Sequence, residues 1–431
     1  MWALVDCDNF FCSCERVFRP DLRQTPLVVL SNNDGCVVAR SRETKAMGIK
    51  MGLPYFQLQR DYAGKGIVAF SSNYTLYGDM SSRVMAVLRE EAPEVHQYSI
   101  DEAFLQLQGL NVDYKTWGEA LAAKVRRWTG IPVSVGIAPT KTLAKAASKF
   151  AKKYPGYNKC CLIDTAEKRE AALKLLQPED IWGIGRRVAR SLYGRGVYTA
   201  LDFARRSRGW VRQNYTVTGE RTWMELNGYE AVGNDDLGGT KKSIVTSRSF
   251  PDMMTSLDQL LPHFANYAAR CAAKLRKQHS VARMVTVFIM SNPFREDLPQ
   301  YSNSASFIFP TATCATSELV QAALSILKAI FREGIAYKRG GVMVSDFSPA
   351  DAVQADLFDF DPIEALRQYK ISTLADDINA FHGADTLMLA SQQYPSKSGE
   401  QREKRPGFAQ AIKRDLKSPD YSTKVSDFIV I

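Results

Sequence analysis

Tyr98-Ser99-Ile100-Asp101-Glu102-Ala103-Phe104 sets an acidic dipeptide between two apolar, strand-like runs. Trp2-Ala3-Leu4-Val5-Asp6-Cys7-Asp8 ends another such run on acid. Lone carboxylates at the ends of buried strands are costly unless solvated, paired or bound to metal. Brought together, Asp6, Asp101 and Glu102 repel one another, so a site built from them expects divalent cations. Oxygen-only ligands suit Mg²⁺, which keeps waters and substrate phosphates in its shell. Two such ions are the arrangement used in two-metal phosphoryl transfer.

Working outward from these acids, residues 2–6 read as a short buried strand and 10–18 as an amphipathic helix stopped near Pro20. A strand follows at 27–30. Asn32-Asn33-Asp34-Gly35 is a turn, and 43–47 is a short helix ended by Gly48. Then come a long helix at 74–91, a strand pair at 95–100 and 103–107, a helix at 116–128, a strand at 132–137 and a helix at 140–153. With about 10–78 set aside, the order is strand, helix, strand, strand, helix, strand, the split ferredoxin-like unit. Its first and third strands are antiparallel neighbours, so Asp6 lies beside Asp101 and Glu102. Successive strand residues face opposite ways. Asp101 is therefore the expected partner of Asp6, and Glu102 reaches the site only where the turn relaxes the alternation. The alternative is three solvated loop acids.

Residues 166–235 read as all-helical and basic. From Lys241 a new α+β pattern begins, with strands near 282–290, 304–309 and 341–347 and helices at 257–277 and 318–331. An acidic, irregular stretch at 351–362 and a polar, charged linker at 396–406 follow. There is no internal repeat and no low-complexity tract.

The 431-residue chain carries 56 Lys and Arg against 46 Asp and Glu, a net charge of +10. Such an excess speaks to partners rather than to fold, and nucleic acid is the expected polyanion. The plainer reading is a basic soluble enzyme. No segment approaches the ~20 apolar residues of a membrane span. Asp6 and Asp8 interrupt the N-terminus, so it does not read as a signal peptide, and a cytoplasmic location without membrane contact is expected. The eight cysteines lack disulfide-like or zinc-like spacing, and reduced, mostly buried thiols are expected.

Three further stretches bear on chemistry. After the turn residues at 31–36 come Arg40, Arg42 and Lys45, and a helix puts Arg42 and Lys45 on one face, suited to a triphosphate. Lys141, Lys145, Lys149 and Lys152 form a stripe on the helix at 140–153, which is either a solvated face or part of the acidic site. Trp182-Gly183-Ile184-Gly185-Arg186-Arg187 reads as the turn of a helix-hairpin-helix, whose backbone N–H groups can approach a DNA phosphate without reading sequence. An ordinary helical turn is the alternative. Gln354-Ala355-Asp356-Leu357-Phe358 is either an anchor for a partner's pocket or a loop tucked onto its own domain.

Taken together these stretches resemble the Y-family DNA polymerases that copy damaged templates, above all the bacterial UmuC group, the catalytic subunit of an SOS-induced mutagenic polymerase. The likeness is carried by 6–11, 18–22, 28–40, 71–74, 98–104, 136–145, 182–187 and 303–306. It implies an α+β, multidomain right-hand polymerase: a ferredoxin-like palm (1–10 and 79–165), small fingers (11–78) and a helical thumb with a helix-hairpin-helix (166–235). An α+β little finger (241–348) and a C-terminal tail (349–431) with a clamp-binding motif and a UmuC-type region complete it. It implies an error-prone DNA-directed DNA polymerase performing translesion synthesis in the SOS response to DNA damage. Two Mg²⁺ would be held by Asp6, Asp101, Glu102 and the Cys7 backbone carbonyl. Arg42, Lys45 and Lys152 fall on positions that contact the incoming dNTP, and Phe11 on the bulky residue that excludes the ribose 2′-OH. Many relatives carry Tyr in place of both Arg42 and Phe11; Phe still blocks by size. Gly183, Gly185, Arg186, Arg187, Lys241, Lys242 and Arg248 are the expected DNA contacts, and Gln354, Leu357 and Phe358 the sliding-clamp contacts. Primer-template DNA is the implied substrate partner, with a processed UmuD dimer and RecA as protein partners.

Two rivals use the same residues differently. A diguanylate-type nucleotide cyclase shares the palm topology, but Ser99-Ile100 stands where its Gly-Gly would precede the acids. A non-catalytic DNA-binding scaffold would not need all three acids.

Overall fold

The computed structural model describes residues 1–233, 241–354, 361–393 and 414–421. The chain divides into two units, Met1–Gly239 with Arg414–Ile431, and Thr240–Lys413.

The first unit runs β1 (Trp2–Cys7), α1 (Phe10–Phe18), β2 (Leu27–Leu30), β3 (Val37–Arg40), α2 (Arg42–Ala46), α3 (Tyr55–Asp61), β4 (Val68–Ser71), α4 (Tyr74–Glu91), β5 (Glu94–Gln97), β6 (Glu102–Gln106), α5 (Tyr114–Thr129), β7 (Val133–Ala138), α6 (Lys141–Lys153), β8 (Cys160–Leu162), α7 (Ala166–Leu175), α8 (Arg186–Tyr193), α9 (Ala200–Ala204) and α10 (Arg208–Leu226). Its main sheet has the order β5-β6-β1-β7-β8. β1 pairs antiparallel with both β6 and β7. Between β1 and α4, a smaller sheet β3-β2-β4 carries the segment that sequence alone set aside. In that segment the sequence reading had located α1, β2, the turn at 32–35 and α2, but not β3, α3 or β4. β3 and β4 are four residues each, too short for a period of two to stand out.

Alternation along β1 sorts the core. Ala3 and Val5 face one cluster with Ala103, Leu105 and residues of α4 and α5. Trp2 and Leu4 face the other with Phe104 and α6. α6 starts where the Thr140 hydroxyl caps Leu143 N–H. It lies directly on β7 at Gly136, where a Cβ would stand 2.0 Å from Ser148 N and 2.2 Å from Ala144 O. Only glycine permits that approach, and the approach brings the lysines of α6 to the sheet.

The second unit runs β9 (Ser243–Met254), α11 (Leu257–Lys277), β10 (Ser280–Ser291), β11 (Ser302–Thr313), α12 (Thr316–Ile330), β12 (Tyr337–Pro349) and α13 (Pro362–His382). Its sheet is ordered β11-β10-β12-β9, with every pairing antiparallel, and α11 and α12 cover one core. α13 had no counterpart in the sequence reading. Its hydrophobic residues follow no clean period, and it is held largely by polar ties, Arg276 to Asp376 at 2.6 Å and Ser317 to Gln368 at 2.8 Å. The tail expected over 349–431 is divided: 361–393 belongs to this unit, 414–421 to the first.

Candidate active site

The register places Asp6 directly opposite Glu102. Directly opposed residues share a face of a sheet, so these two carboxyls, and not Asp6 and Asp101, stand side by side. Alternation counted from sequence pointed to Asp101, with the whole dipeptide placed between strands at 95–100 and 103–107. The strand begins at Glu102 instead, and Asp101 lies in the turn before it. There the Ser99 hydroxyl donates to Asp101 Oδ1 at 2.6 Å and accepts the N–H of Asp101 and Glu102. The Asp101 carbonyl accepts the Cys7 N–H at 2.9 Å. Among the described residues no three His, Cys, Asp or Glu side chains meet as a metal cluster.

The face shared by Asp6 and Glu102 is the one covered by α6. Lys152 pairs with Asp6, and Lys145 donates to Glu102 Oε2 at 2.8 Å. Lys145 also lies 4.9 Å over the Tyr98 ring. Lys149 pairs with Asp180, and Lys141 is fully buried, donating to the Val232 carbonyl at 2.6 Å. Three of the four stripe lysines thus end on carboxylates, although Lys149 and Lys152 keep exposed surface. Lys145 and Lys152 neutralise Glu102 and Asp6, which would otherwise repel one another.

Burial pushes the Asp6 carboxyl up to about 7; Lys152 opposes this and Glu102 adds to it through its charge and a hydrogen bond. The buried Cys7 thiol is held well above its ordinary value by desolvation first and by Asp6 next. It therefore stays protonated and offers no thiolate. What remains is an oxygen-only donor set, in which the desolvated Asp6 carboxyl gains from a cation. Beside it, Asp8 binds Lys159 at 2.7 Å and takes a bond from Ser134 at 2.9 Å.

Arg42, the first residue of α2, is exposed. Lys45 donates to Asn9 Oδ1. Its ammonium is held below its ordinary value, first by desolvation and then by Lys152 and Arg40, so these cations stand close together. Phe11 stacks on Tyr77 with centroids 4.4 Å apart and planes at 15°. The Glu15–Tyr77 pair beneath it went unnoticed in the sequence. The available signal was a glutamate on the otherwise apolar face of α1, four residues from Phe11.

In the helical region, Gly183 has φ +88° and Gly185 caps α8 in open space. Gly183, Gly185, Arg186 and Arg187 are all exposed. The element before the turn is a single 3-10 turn, Pro178–Asp180, rather than a full helix. In the second unit Lys241 and Lys242 are exposed and Arg248 is half-buried on β9. Gln354 is exposed, and Leu357 and Phe358 lie outside the described residues. No helix among those residues is long and apolar enough to cross a membrane.

Solved structures share this fold. A Y-family DNA polymerase chimera of Dbh and Dpo4 superposes with a TM-score of 0.65 at 21% identity, covering 80% of this chain and 98% of its own. An insertion ternary complex of Dbh DNA polymerase gives 0.53 at 21%, with the same shares of the two chains. Residues 5–149 match the impB/mucB/samB family and 241–357 its C-terminal domain. Protein UmuC of Salmonella typhimurium is 40% identical over 434 residues, 100% of this chain and 99% of the relative. Protein ImpB of Salmonella typhimurium is 44% identical over 364 residues, 83% and 86% of the two chains. The chain belongs to the impB/mucB/samB family, the UmuC group of Y-family DNA polymerases. It is a DNA-directed DNA polymerase of translesion synthesis in the SOS response, a nucleotidyltransferase of a family that uses divalent metal ions.

Proposed function

We propose that Asp6, Asp101, Glu102 and the Cys7 carbonyl hold two Mg²⁺ at which a dNTP is joined to a primer 3′-OH. The observation that carries this reading is the register pair Asp6–Glu102, capped by Lys152 and Lys145. When bound, the ions supply Lewis acidity, lowering the pKa of the 3′-OH and neutralising the leaving pyrophosphate. The chain's own residues do the rest, mostly by positioning and charge stabilisation. Asp101 joins the pair on leaving Ser99. Lys152, freed from Asp6, Lys45 and Arg42 hold the triphosphate. Phe11 lies against the sugar and excludes a 2′-OH.

In this reading 1–10 and 79–165 form the palm, 11–78 the fingers, 166–235 the thumb and 241–348 the little finger. The small fingers sheet encloses the nascent pair loosely, which accounts for tolerance of damaged templates. Gly183, Gly185, Arg186 and Arg187 of the first unit, and Lys241, Lys242 and Arg248 of the second, contact DNA phosphates. Gln354, Leu357 and Phe358 dock on a sliding clamp. A processed UmuD-type dimer and RecA are the further partners, and the protein works in the cytoplasm.

The test is primer extension with Mg²⁺. Asp101→Ala and Glu102→Ala should abolish extension while primer-template affinity, read by fluorescence anisotropy, stays near wild type. Undiminished extension would remove the metal-site assignment.

A further inference from the structure

Residues 414–421 return to the first unit and pack against α1, β4 and the start of α4. Leu416 and Ser71 exchange bonds at the edge of β4: Ser71 N–H donates to the Leu416 carbonyl at 3.0 Å, and Leu416 N–H to Ser71 Oγ at 3.0 Å. Asp415 N–H donates to Asp34 Oδ2 at 3.2 Å. Tyr421 stacks on Phe18 of α1, centroids 4.3 Å apart and planes at 7°.

Between these anchors lies Ser418, 3% exposed. Its hydroxyl accepts from Asn73 Nδ2, the N-cap of α4, at 3.1 Å and donates to Glu15 Oε1 at 3.3 Å. Glu15 is fully buried, and the Tyr77 hydroxyl donates to the same oxygen at 2.7 Å. The Tyr77 ring is the surface on which Phe11 stacks. Phe11 and Glu15 are one helical turn apart on α1. Tyr77 therefore spans that turn, its ring under Phe11 and its hydroxyl on Glu15, while Ser418 ties Glu15 to the start of α4.

We propose that segment 414–421 is part of sugar selection: Ser418 and Tyr421 are positioning residues that fix Glu15 and Tyr77, and through Tyr77 the Phe11 side chain. A gate that rejects an added hydroxyl works by steric exclusion, so it must not yield. A ring free to slide on its support gives the 2′-OH room. The inference rests on the reading of Phe11 as the sugar gate.

The experiment measures kcat/KM for a dNTP and its matching rNTP with the full chain on one primer-template. Their ratio is the readout, because loss of folded enzyme lowers both constants equally and leaves it unmoved. Phe11→Ala should lower the ratio by about a hundredfold. Ser418→Ala combined with Tyr421→Ala should lower it by about tenfold, the worth of one lost hydrogen-bonded contact. Tyr77→Phe keeps the stacking ring but cuts the link, so it should lower the ratio by a similar factor. Adding it to the tail pair should cost little more, as members of one network are not additive. A wild-type ratio in the tail pair, with Phe11→Ala relaxed, overturns the proposal. If the tail pair does not fold, a wild-type ratio in Tyr77→Phe overturns it equally. A wild-type ratio in Phe11→Ala instead overturns the gate reading, and the proposal falls with it.

Discussion

Gly136 shows how one residue governs the site. The missing Cβ lets the backbone of α6 rest on β7, and that contact sets the height at which Lys145 and Lys152 meet Glu102 and Asp6. Gly136→Ala would drive a methyl into helix backbone, which cannot give as a flexible side chain can. The expected cost is about 3 kcal/mol, the upper end for overpacking a well-filled core. All six tryptophans (2, 117, 128, 182, 210 and 223) lie in the first unit. Urea unfolding followed by tryptophan fluorescence therefore reads this unit alone, and the midpoint should fall with little change in slope. An unchanged midpoint would mean that α6 can shift off the strand at little cost.

Among elements, α6 and α11 contrast in how they carry charge. α6 brings lysines to half-buried acids. α11 buries His263 instead, 4% exposed, with its ring 5.2 Å from Phe250. Burial, with Arg248 as a lesser cause, lowers the His263 pKa to about 4. An unfolded histidine titrates near 6.5, so between these values the unfolded chain holds the extra proton. Stability is then fully present above about pH 6.5 and is lost as pH falls toward 4, by up to about 3 kcal/mol. The change belongs to the second unit. Far-UV circular dichroism should show acid destabilisation of a transition that tryptophan fluorescence does not see, and His263→Phe should remove most of it. Most elements were legible because hydrophobic period and caps are local: α4 and α11 stand where the pattern put them. β3, β4 and α13 were not, since four-residue strands and a helix held by polar ties leave little periodic signal.

At the scale of the molecule, both units use the order strand, helix, strand, strand, helix, strand, yet they assemble it differently. The first strand is interior in one sheet, between β6 and β7, and at the edge in the other. The net charge of +10 belongs to the chain as a whole, and its expected effect is on DNA affinity. Log affinity for primer-template should fall linearly with log salt, with a slope of about −0.9 per phosphate neutralised. Arg186→Ala with Arg187→Ala should flatten that slope by up to about 2, while binding of different template sequences weakens alike. A slope unchanged in that variant would take the hairpin out of the DNA contact.

By itself the sequence determined the acids at strand ends, the strand, helix, strand, strand, helix, strand order that carries them and the family, because these rest on local period and on motifs that need no partner to be read. Only the tertiary structure decided that Glu102 rather than Asp101 faces Asp6, that Lys145 and Lys152 of α6 end on carboxylates, and that Ser418 reaches Glu15. The physical reason is that such contacts join residues far apart in the chain. A one-residue change in where a strand begins reverses which side chains share a face, and nothing in the local pattern of 414–421 says which surface it will close.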